Sequence, residues 1–125
     1  MNERPRIKIP FDSVDLVLEA ITGILLLATW VIVIVKYPEM SETIPIHYDI
    51  GGNIDGYGSK VTIFILPIIS TILYVGLLIL NKYPHKFNYP TKITEKNAER
   101  QYRAASKLIR FLKLSIIILF LLLSI

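Results

Sequence analysis

Residues 61–80 form a run of twenty uncharged residues between Lys60 and Lys82. An α-helix rises about 1.5 Å per residue, so a run of this length matches the roughly 30 Å hydrocarbon core of a bilayer. Hydrophobic residues make up 53% of the 125-residue chain, and its mean hydropathy is +0.53. A small water-soluble domain cannot bury so much apolar surface. The sequence therefore predicts a membrane protein with a helix over 61–81, kinked at Pro67 unless that residue lies in the first turns.

A second apolar run, 20–35, contains sixteen uncharged residues and follows a basic N-terminal segment. Such a segment is also typical of a secretory signal peptide, but Lys36 follows the run where a small-residue cleavage site would be needed. Asp12 is the predicted N-cap, because Asp15 lies three residues further on and can complete a capping box. We therefore expect an uncleaved anchor helix over about 13–36.

The last third of the chain combines an amphipathic segment with an apolar end. In 82–107, apolar and basic side chains repeat at helical spacings on opposite faces, and Thr94 is the predicted N-cap of this segment. The final uncharged run, 114–125, reaches only about 18 Å, which is short of a full crossing. A third helix, about 108–125, then either uses the amphipathic lead-in to complete its span or is truncated.

These segments predict an all-α fold: a single membrane domain, 1–125, with three transmembrane helices and an ordered outer loop, 37–60. Lysine and arginine number three before the first helix, two at the ends of the first loop and nine from Lys82 to Lys113. Cytoplasmic segments are enriched in these residues. We therefore expect a multi-pass protein of the cell membrane with a cytoplasmic N-terminus and an extracytoplasmic outer loop.

The outer loop carries the most specific motif of the chain. It contains Ile-Pro-Ile-His-Tyr-Asp at 44–49 and Gly-Gly-Asn-Ile-Asp-Gly-Tyr-Gly-Ser-Lys at 51–60. This order of a proline, a His-aromatic-Asp sequence, a glycine turn and Asp-Gly-aromatic-Gly-Ser-Lys before an apolar helix resembles a bacterial membrane domain of unknown function. That domain forms the N-terminal part of SdpI-like immunity proteins. The resemblance extends over about 16–114 and includes Phe-Asn-Tyr-Pro at 87–90.

The resemblance implies a non-enzymatic immunity or signalling protein whose outer loop recognises a peptide, a lipid or a protein. Under this reading, the candidate ligand-binding residues are His47, Tyr48, Asp49, Asn53, Asp55 and Tyr57. The residues themselves leave alternatives open. Asp49 and Asp55 can hold turns through hydrogen bonds to the backbone while His47 packs on the loop. The chain can also be a small accessory or structural subunit of a larger membrane complex.

Motifs for catalysis and metal binding are lacking in the sequence. It has no His pair, no nucleophile elbow and no phosphate-binding glycine loop, so we expect neither an enzyme nor a cofactor. Residues 53–58 resemble the start of an EF-hand loop, but the closing glutamate position falls on Phe64. One histidine without cysteine ligands is also a poor zinc set, so we predict no metal site.

Two stripes of opposite charge approach the membrane from the cytoplasmic side. Asp12, Asp15 and Glu19 follow one face of the first helix, while the basic stripe of the third helix includes Lys107 and Arg110. A carboxylate inside the membrane is costly unless it is paired. We therefore hypothesise that Glu19 is neutralised by Arg110 or Lys107, with Asp15 as a further candidate for charge pairing. The alternative is that the first helix shifts and Glu19 stays in water.

The remaining basic residues predict contact with the membrane surface. Lysine and arginine near a bilayer are attracted to anionic lipid headgroups. The sequence contains no nucleic-acid recognition module. The predicted partners are therefore the lipid bilayer, its anionic headgroups and a peptide or membrane protein, but no nucleic acid.

Overall fold

The computed structural model describes residues 4–125 of the chain. Within this range lie three α-helices and two strands: α1 (Ser13–Lys36), β1 (Thr43–Tyr48), β2 (Ile54–Ser59), α2 (Ile65–Leu80) and α3 (Ala98–Ser124). Three short 3₁₀ helices connect them, at Tyr37–Glu39, Lys60–Phe64 and Pro84–Lys86. The protein is mostly helical. The all-α prediction is wrong for the outer loop, because its strands form a two-stranded sheet.

The two strands pair antiparallel as a hairpin that lies between α1 and α2 in the chain. Thr43 is opposite Ser59 at the open end and Tyr48 is opposite Ile54 near the turn, with irregular register on either side of His47. The hairpin contains several β-branched residues, which favour extended backbone. Glycine-rich turns were expected in this loop, but the pairing of its two arms was not.

The start of α1 follows the sequence prediction. The Asp12 carboxylate accepts a hydrogen bond from the Asp15 backbone N–H (2.8 Å), and the Asp15 carboxylate accepts one from the Asp12 N–H (3.1 Å). This reciprocal arrangement is the capping box, and it satisfies two N–H groups at the helix end. The predicted N-cap at Asp12 is confirmed.

The second helix begins at Ile65, later than the predicted residue 61, and continues through Pro67. Ser59 accepts a hydrogen bond from the Val61 N–H (3.3 Å), and the 3₁₀ turn Lys60–Phe64 leads into α2. Pro67 is the third residue of α2. In the first turn a missing N–H removes no hydrogen bond that an α-helix needs, so this proline is tolerated there.

The lead-in and the apolar end of the C-terminal region form one continuous helix, α3, with no boundary near residue 107. It begins after Asn97 and not after Thr94. The Asn97 side chain accepts a hydrogen bond from the Thr94 N–H (2.8 Å), which makes Thr94 part of the turn that precedes the helix. Among the described residues, two segments are long and apolar enough to cross a membrane, Ser13–Glu39 and Lys60–Leu80.

The three helices pack side by side, with α1 and α3 parallel. Lys107 of α3 contacts Asp12 at the start of α1, and the later residue Lys113 contacts the later residue Glu19. Residue numbers therefore increase in the same direction along both helices. The helix α2 runs antiparallel to α1. The Trp30 indole N–H of α1 donates to the Thr71 hydroxyl (2.9 Å), whereas the later residue Tyr74 of α2 lies beside the earlier residue Gly23 of α1.

The buried positions of the helices hold many polar side chains beside apolar ones such as Val33 and Ile117. The polar side chains that are fully or almost fully buried include Asp15, Thr22, Thr29, Ser70, Ser106 and Lys113. Large apolar side chains remain exposed on every helix, among them Ile24, Leu27, Ile72, Leu108 and Leu119. A water-soluble monomer rarely exposes large contiguous apolar patches, and its charged residues are seldom fully buried.

The chain before α1 is fixed against the segments that join α2 to α3. The Tyr102 hydroxyl donates to the Pro5 carbonyl (2.8 Å), and the Arg4 guanidinium donates to the Phe87 carbonyl. Tyr102 belongs to a small buried cluster with Ile93 and Ala98. This packing brings the N-terminal segment and the second loop together at one end of the helices.

Candidate functional site

The tip of the hairpin is ordered by Asp49. Its carboxylate oxygen accepts hydrogen bonds from the N–H groups of Gly51 (2.9 Å) and Asn53 (2.8 Å). Its backbone carbonyl accepts a third from the Gly52 N–H (3.0 Å), and Gly52 has a φ of +83°, which favours glycine. Asp49 therefore acts as the turn-forming residue that the sequence alternatives included, and Asn53 contributes its backbone to the same turn.

His47 and Asp55 meet across the hairpin. The His47 Nδ1 contacts the Asp55 carboxylate and so joins β1 to β2. In the strand register His47 lies opposite Gly56, the residue that follows Asp55. The side chains of His47 and Asp55 both remain accessible, with exposed fractions of 70% and 44%. The pair is therefore open to a second partner. In the described part of the chain, no group of three or more His, Asp or Glu side chains is arranged to hold a metal ion.

The hairpin also presents large apolar and aromatic side chains to its surroundings. Tyr48 is 56% exposed, Tyr57 is 64% exposed, and Ile50 projects fully from the tip. We call the exposed set the hairpin surface, which consists of His47, Tyr48, Ile50, Asp55 and Tyr57. Four of its members were predicted from the sequence, whereas Ile50 was not.

The base of the hairpin is anchored to the helix ends around Lys60. The Lys60 amine lies 4.5 Å from the centre of the Tyr37 ring and 3.6 Å from the Glu42 carboxylate. The Tyr37 ring in turn packs against Phe64 with 5.0 Å between ring centres. These contacts connect the hairpin to the end of α1 and the start of α2, so the hairpin surface has a defined orientation.

A second group of candidate residues lies at the opposite end of the helices, between α1 and α3. The Arg110 guanidinium is 3.4 Å from the Asp15 carboxylate and 3.2 Å from that of Glu19. Lys107 lies 2.6 Å from Asp12 and 3.8 Å from Asp15. The structure thus brings together the four residues singled out for charge pairing, Asp15, Glu19, Lys107 and Arg110. Of the two cations proposed to neutralise Glu19, Arg110 contacts it and Lys107 does not.

The most deeply buried cation in this group, Lys113, was not anticipated from the sequence. The Lys113 amine is 2.7 Å from one Glu19 oxygen and 2.9 Å from the other, and only 1% of the Lys113 residue is exposed. It also lies 4.7 Å from the centre of the Tyr74 ring, a cation–π distance. Lys113 follows Arg110 by three residues, so it continues the spacing of the basic stripe. That spacing was the signal that could have identified it.

We call the six charged residues the charge cluster: Asp12, Asp15, Glu19, Lys107, Arg110 and Lys113. Its three carboxylates and three cations balance, so no net formal charge is buried between the helices. Hydrogen bonding by Lys107 and the Asp15 backbone lowers the pKa of Asp12 to about 2. The cluster is a structural connection between α1 and α3, because each carboxylate faces a cation across the two helices, although the buried Asp15 Oδ1 accepts no hydrogen bond from the described residues.

Comparison with known proteins identifies relatives for part of the chain. Residues 24–71 match the family described as "Domain of unknown function (DUF1648)", a range that includes the hairpin. A curated protein of Archaeoglobus fulgidus, described as an uncharacterized protein, is 32% identical over 69 residues, which cover 49% of this chain and 38% of that protein. The chain thus spans about two fifths of the length of the curated relative it matches. No solved structure matches this chain.

Proposed function

We propose that the chain is a multi-pass membrane protein with three transmembrane helices, a cytoplasmic N-terminus and an extracytoplasmic hairpin. Two segments have the length and apolar composition for a crossing. The exposed side chains of Ile24, Leu27 and Ile72 would contact lipid tails, while buried charges such as Lys113 have partners between the helices. In lipid this distribution is favourable, because the apolar surface meets an apolar solvent and the polar groups are satisfied internally.

The third crossing is the least apolar of the three. The 27 residues of α3 extend about 40 Å at 1.5 Å per residue, which is sufficient for a span. Of its five basic residues, those at 107, 110 and 113 are the nearest to its apolar end, and each has a carboxylate partner at the N-cap or in the first turns of α1. Pairing lowers the cost of inserting such groups. Because α1 and α3 run parallel, a crossing by α3 agrees with a chain that passes outward through α1, inward through α2 and outward again through α3.

The proposed activity is recognition of an extracytoplasmic peptide or protein by the hairpin surface, as in the immunity-type proteins that the sequence resembles. The observation that carries this proposal is that different residues of the hairpin form its turn and its exposed surface. Asp49 and Gly52 hold the turn, whereas Tyr48, Ile50 and Tyr57 remain exposed on an anchored structure. Exposed tyrosines on a rigid support are frequent anchors of protein interfaces.

Topology can be tested by labelling, because the chain contains no cysteine and each introduced thiol is unique. A membrane-impermeant maleimide applied to intact cells should label Ile50→Cys, and should label Lys96→Cys only after permeabilisation. Ile125→Cys should behave like Ile50→Cys if α3 crosses. Labelling of Lys96→Cys in intact cells would contradict the orientation, and protection of Ile125→Cys would contradict the third crossing.

Recognition can be tested by challenging cells that lack the chain with secreted antimicrobial peptides. The unaltered chain should restore tolerance, Tyr57→Ala should reduce it, and Thr43→Ala, an exposed change on the same hairpin, should preserve it. Membrane levels of each variant must be equal. Tolerance that never depends on the chain would exclude the immunity function, and tolerance unaffected by Tyr57→Ala would exclude the hairpin surface. A stoichiometric membrane partner retained by Tyr57→Ala after solubilisation would instead support an accessory subunit.

A further inference from the structure

A cavity of about 560 Å³ lies where the N-terminal segment meets the end of α2 and the middle of α3. Its volume falls within the usual range of small-molecule sites. Part of its lining is apolar and includes Ile7, Ile9 and Leu78. Cationic side chains, among them Arg6 and Lys82, form another part, and the Glu19 carboxylate, which is paired with Arg110 and Lys113, also lines the cavity. The cavity therefore combines an apolar region and a basic region, which is the character of a site for an amphiphilic anion.

A second, smaller depression adjoins this cavity and extends its basic side. It has a volume of about 240 Å³ and is lined by Arg4, Arg6, His85 and Lys86, all of them basic residues. Arg6 and His85 line both spaces, so the two lie side by side. Within residues 4–125, neither Arg6 nor Lys82 takes part in an ion pair. A phosphate group beside Arg6, where the two spaces adjoin, would lie among cations that line one space or the other.

We propose that this composite cavity is a binding site for an anionic phospholipid, whose phosphate contacts Arg6 and Lys82 and whose acyl chain enters between Ile9 and Leu78. Basic pockets on the cytoplasmic side of transmembrane helices recognise lipid headgroups in this way. The proposal rests on the membrane placement proposed above, but it is independent of what the hairpin surface recognises. It concerns the opposite side of the membrane.

Two further observations agree with an anionic ligand that carries a hydroxyl group. Burial, together with the charges of Arg6 and Lys86, lowers the pKa of His85, as expected where positive charge is not fully compensated. The Asn81 amide N–H donates to the Ser106 carbonyl (3.2 Å), which leaves the buried Asn81 oxygen without a donor. Asn81 lines the cavity, and a headgroup hydroxyl could donate to it.

The test is lipid titration of the full chain in nanodiscs, monitored by the NMR signals of the two histidine rings. In phosphatidylcholine discs, increasing phosphatidylglycerol should shift the His85 signals to saturation and raise the His85 pKa, while His47 at the hairpin serves as the internal reference. Arg6→Gln with Lys82→Gln should raise the half-saturating lipid fraction about thirtyfold, since each cation near a bilayer contributes on the order of 1 kcal/mol and about 1.4 kcal/mol corresponds to a factor of ten. Leu78→Trp, which fills the apolar part, should also weaken saturation.

The matched control is Lys96→Gln with Arg100→Gln, which removes the same charge from exposed positions on the same side of the protein. It should change half-saturation by less than about twofold, because neither side chain lines the cavity and exposed charges are screened by salt. Equal effects of the two double variants would overturn the proposal in favour of diffuse attraction to the membrane. Saturation by soluble glycerol phosphate in phosphatidylcholine discs would overturn it in favour of a free phosphate ester. A chain that does not enter the discs would contradict the membrane placement, whereas a chain that enters and shows no saturation would contradict the lipid site alone.

Discussion

Carboxylates at the two ends of this molecule are used in opposite ways. At the hairpin, Asp49 is exposed and accepts hydrogen bonds from backbone groups of its own turn, at most four residues away. In the charge cluster, Glu19 accepts from Arg110 and Lys113, which follow it by 91 and 94 residues. The first arrangement orders a local segment in water. The second joins two helices that are distant in the sequence.

The difference lies in what happens when one partner is removed. Water can replace a lost hydrogen bond at the exposed turn, so the cost stays small and local. Lys113 is almost fully buried, so its charge would be left without a partner and away from solvent. The charge cluster should therefore control the stability of the whole helix bundle, whereas Asp49 should control only the shape of the hairpin. The following predictions, in order of expected effect, test this contrast.

Glu19→Gln is expected to have the largest effect. It leaves Lys113 without its carboxylate and Arg110 with Asp15 alone while preserving side-chain shape, and breaking a buried ion pair in this way costs about 3–5 kcal/mol. The free energy of unfolding should be measured in detergent by denaturant titration. Glu99→Gln is the control, because the exposed Glu99–Arg103 pair contributes only about 0.5 kcal/mol. Equal losses for the two variants would show that the charge cluster does not stabilise the bundle.

A double-mutant cycle separates the two cations that contact Glu19. Among the acids in residues 4–125, Lys113 pairs with that carboxylate alone, so Glu19→Gln with Lys113→Met should recover about 1–3 kcal/mol relative to the sum of the single losses. Exchanging charges in Glu19→Lys with Arg110→Glu should recover less, because residue 110 also faces Asp15 at 3.4 Å. Greater recovery in the exchange would mean that Arg110, and not Lys113, is the principal partner.

The sequence indicates some of this organisation and misses the rest for physical reasons. The N-cap at Asp12 depends on residues three apart, so a local pattern was sufficient to predict it. Lys113 extends a regular spacing, but its contact with Glu19 depends on how α1 and α3 are aligned along their length. The hairpin was missed as a sheet because strand pairing is non-local, and its glycine-rich β2 (Ile54–Ser59) has little strand propensity of its own. The lipid cavity likewise requires segments that meet only after the helices pack.

Asp49→Ala should have an intermediate effect confined to the hairpin. It removes the acceptor for the Gly51 and Asn53 N–H groups, and the loss of such turn bonds costs about 1–2 kcal/mol. Hydrogen exchange should accelerate for amides of β1 and β2 and stay unchanged in α1 and α3. Asp55→Ala, which removes only an exposed ion pair, should cost less than about 1 kcal/mol. Faster exchange throughout the helices in Asp49→Ala would show that the hairpin and the bundle are not independent.

The smallest predicted effect concerns Asp12, the most exposed carboxylate of the charge cluster. The hydrogen bonds from Lys107 and from the Asp15 backbone lower its pKa from 3.8 to about 2. Since the pKa in the folded protein is the lower one, Asp12 stabilises the fold above about pH 4 and loses this contribution as the pH falls towards 2. Site-specific NMR titration should show the low pKa, and Lys107→Met should raise it because the principal hydrogen bond is lost. Lys96→Met, which removes a charge outside the charge cluster, should leave it unchanged. A titration near 3.8 in the unaltered chain would mean that Lys107 does not bind Asp12 in solution. The charge cluster would then end at Asp15. The start of α1 would depend on local hydrogen bonds alone, as the hairpin turn does.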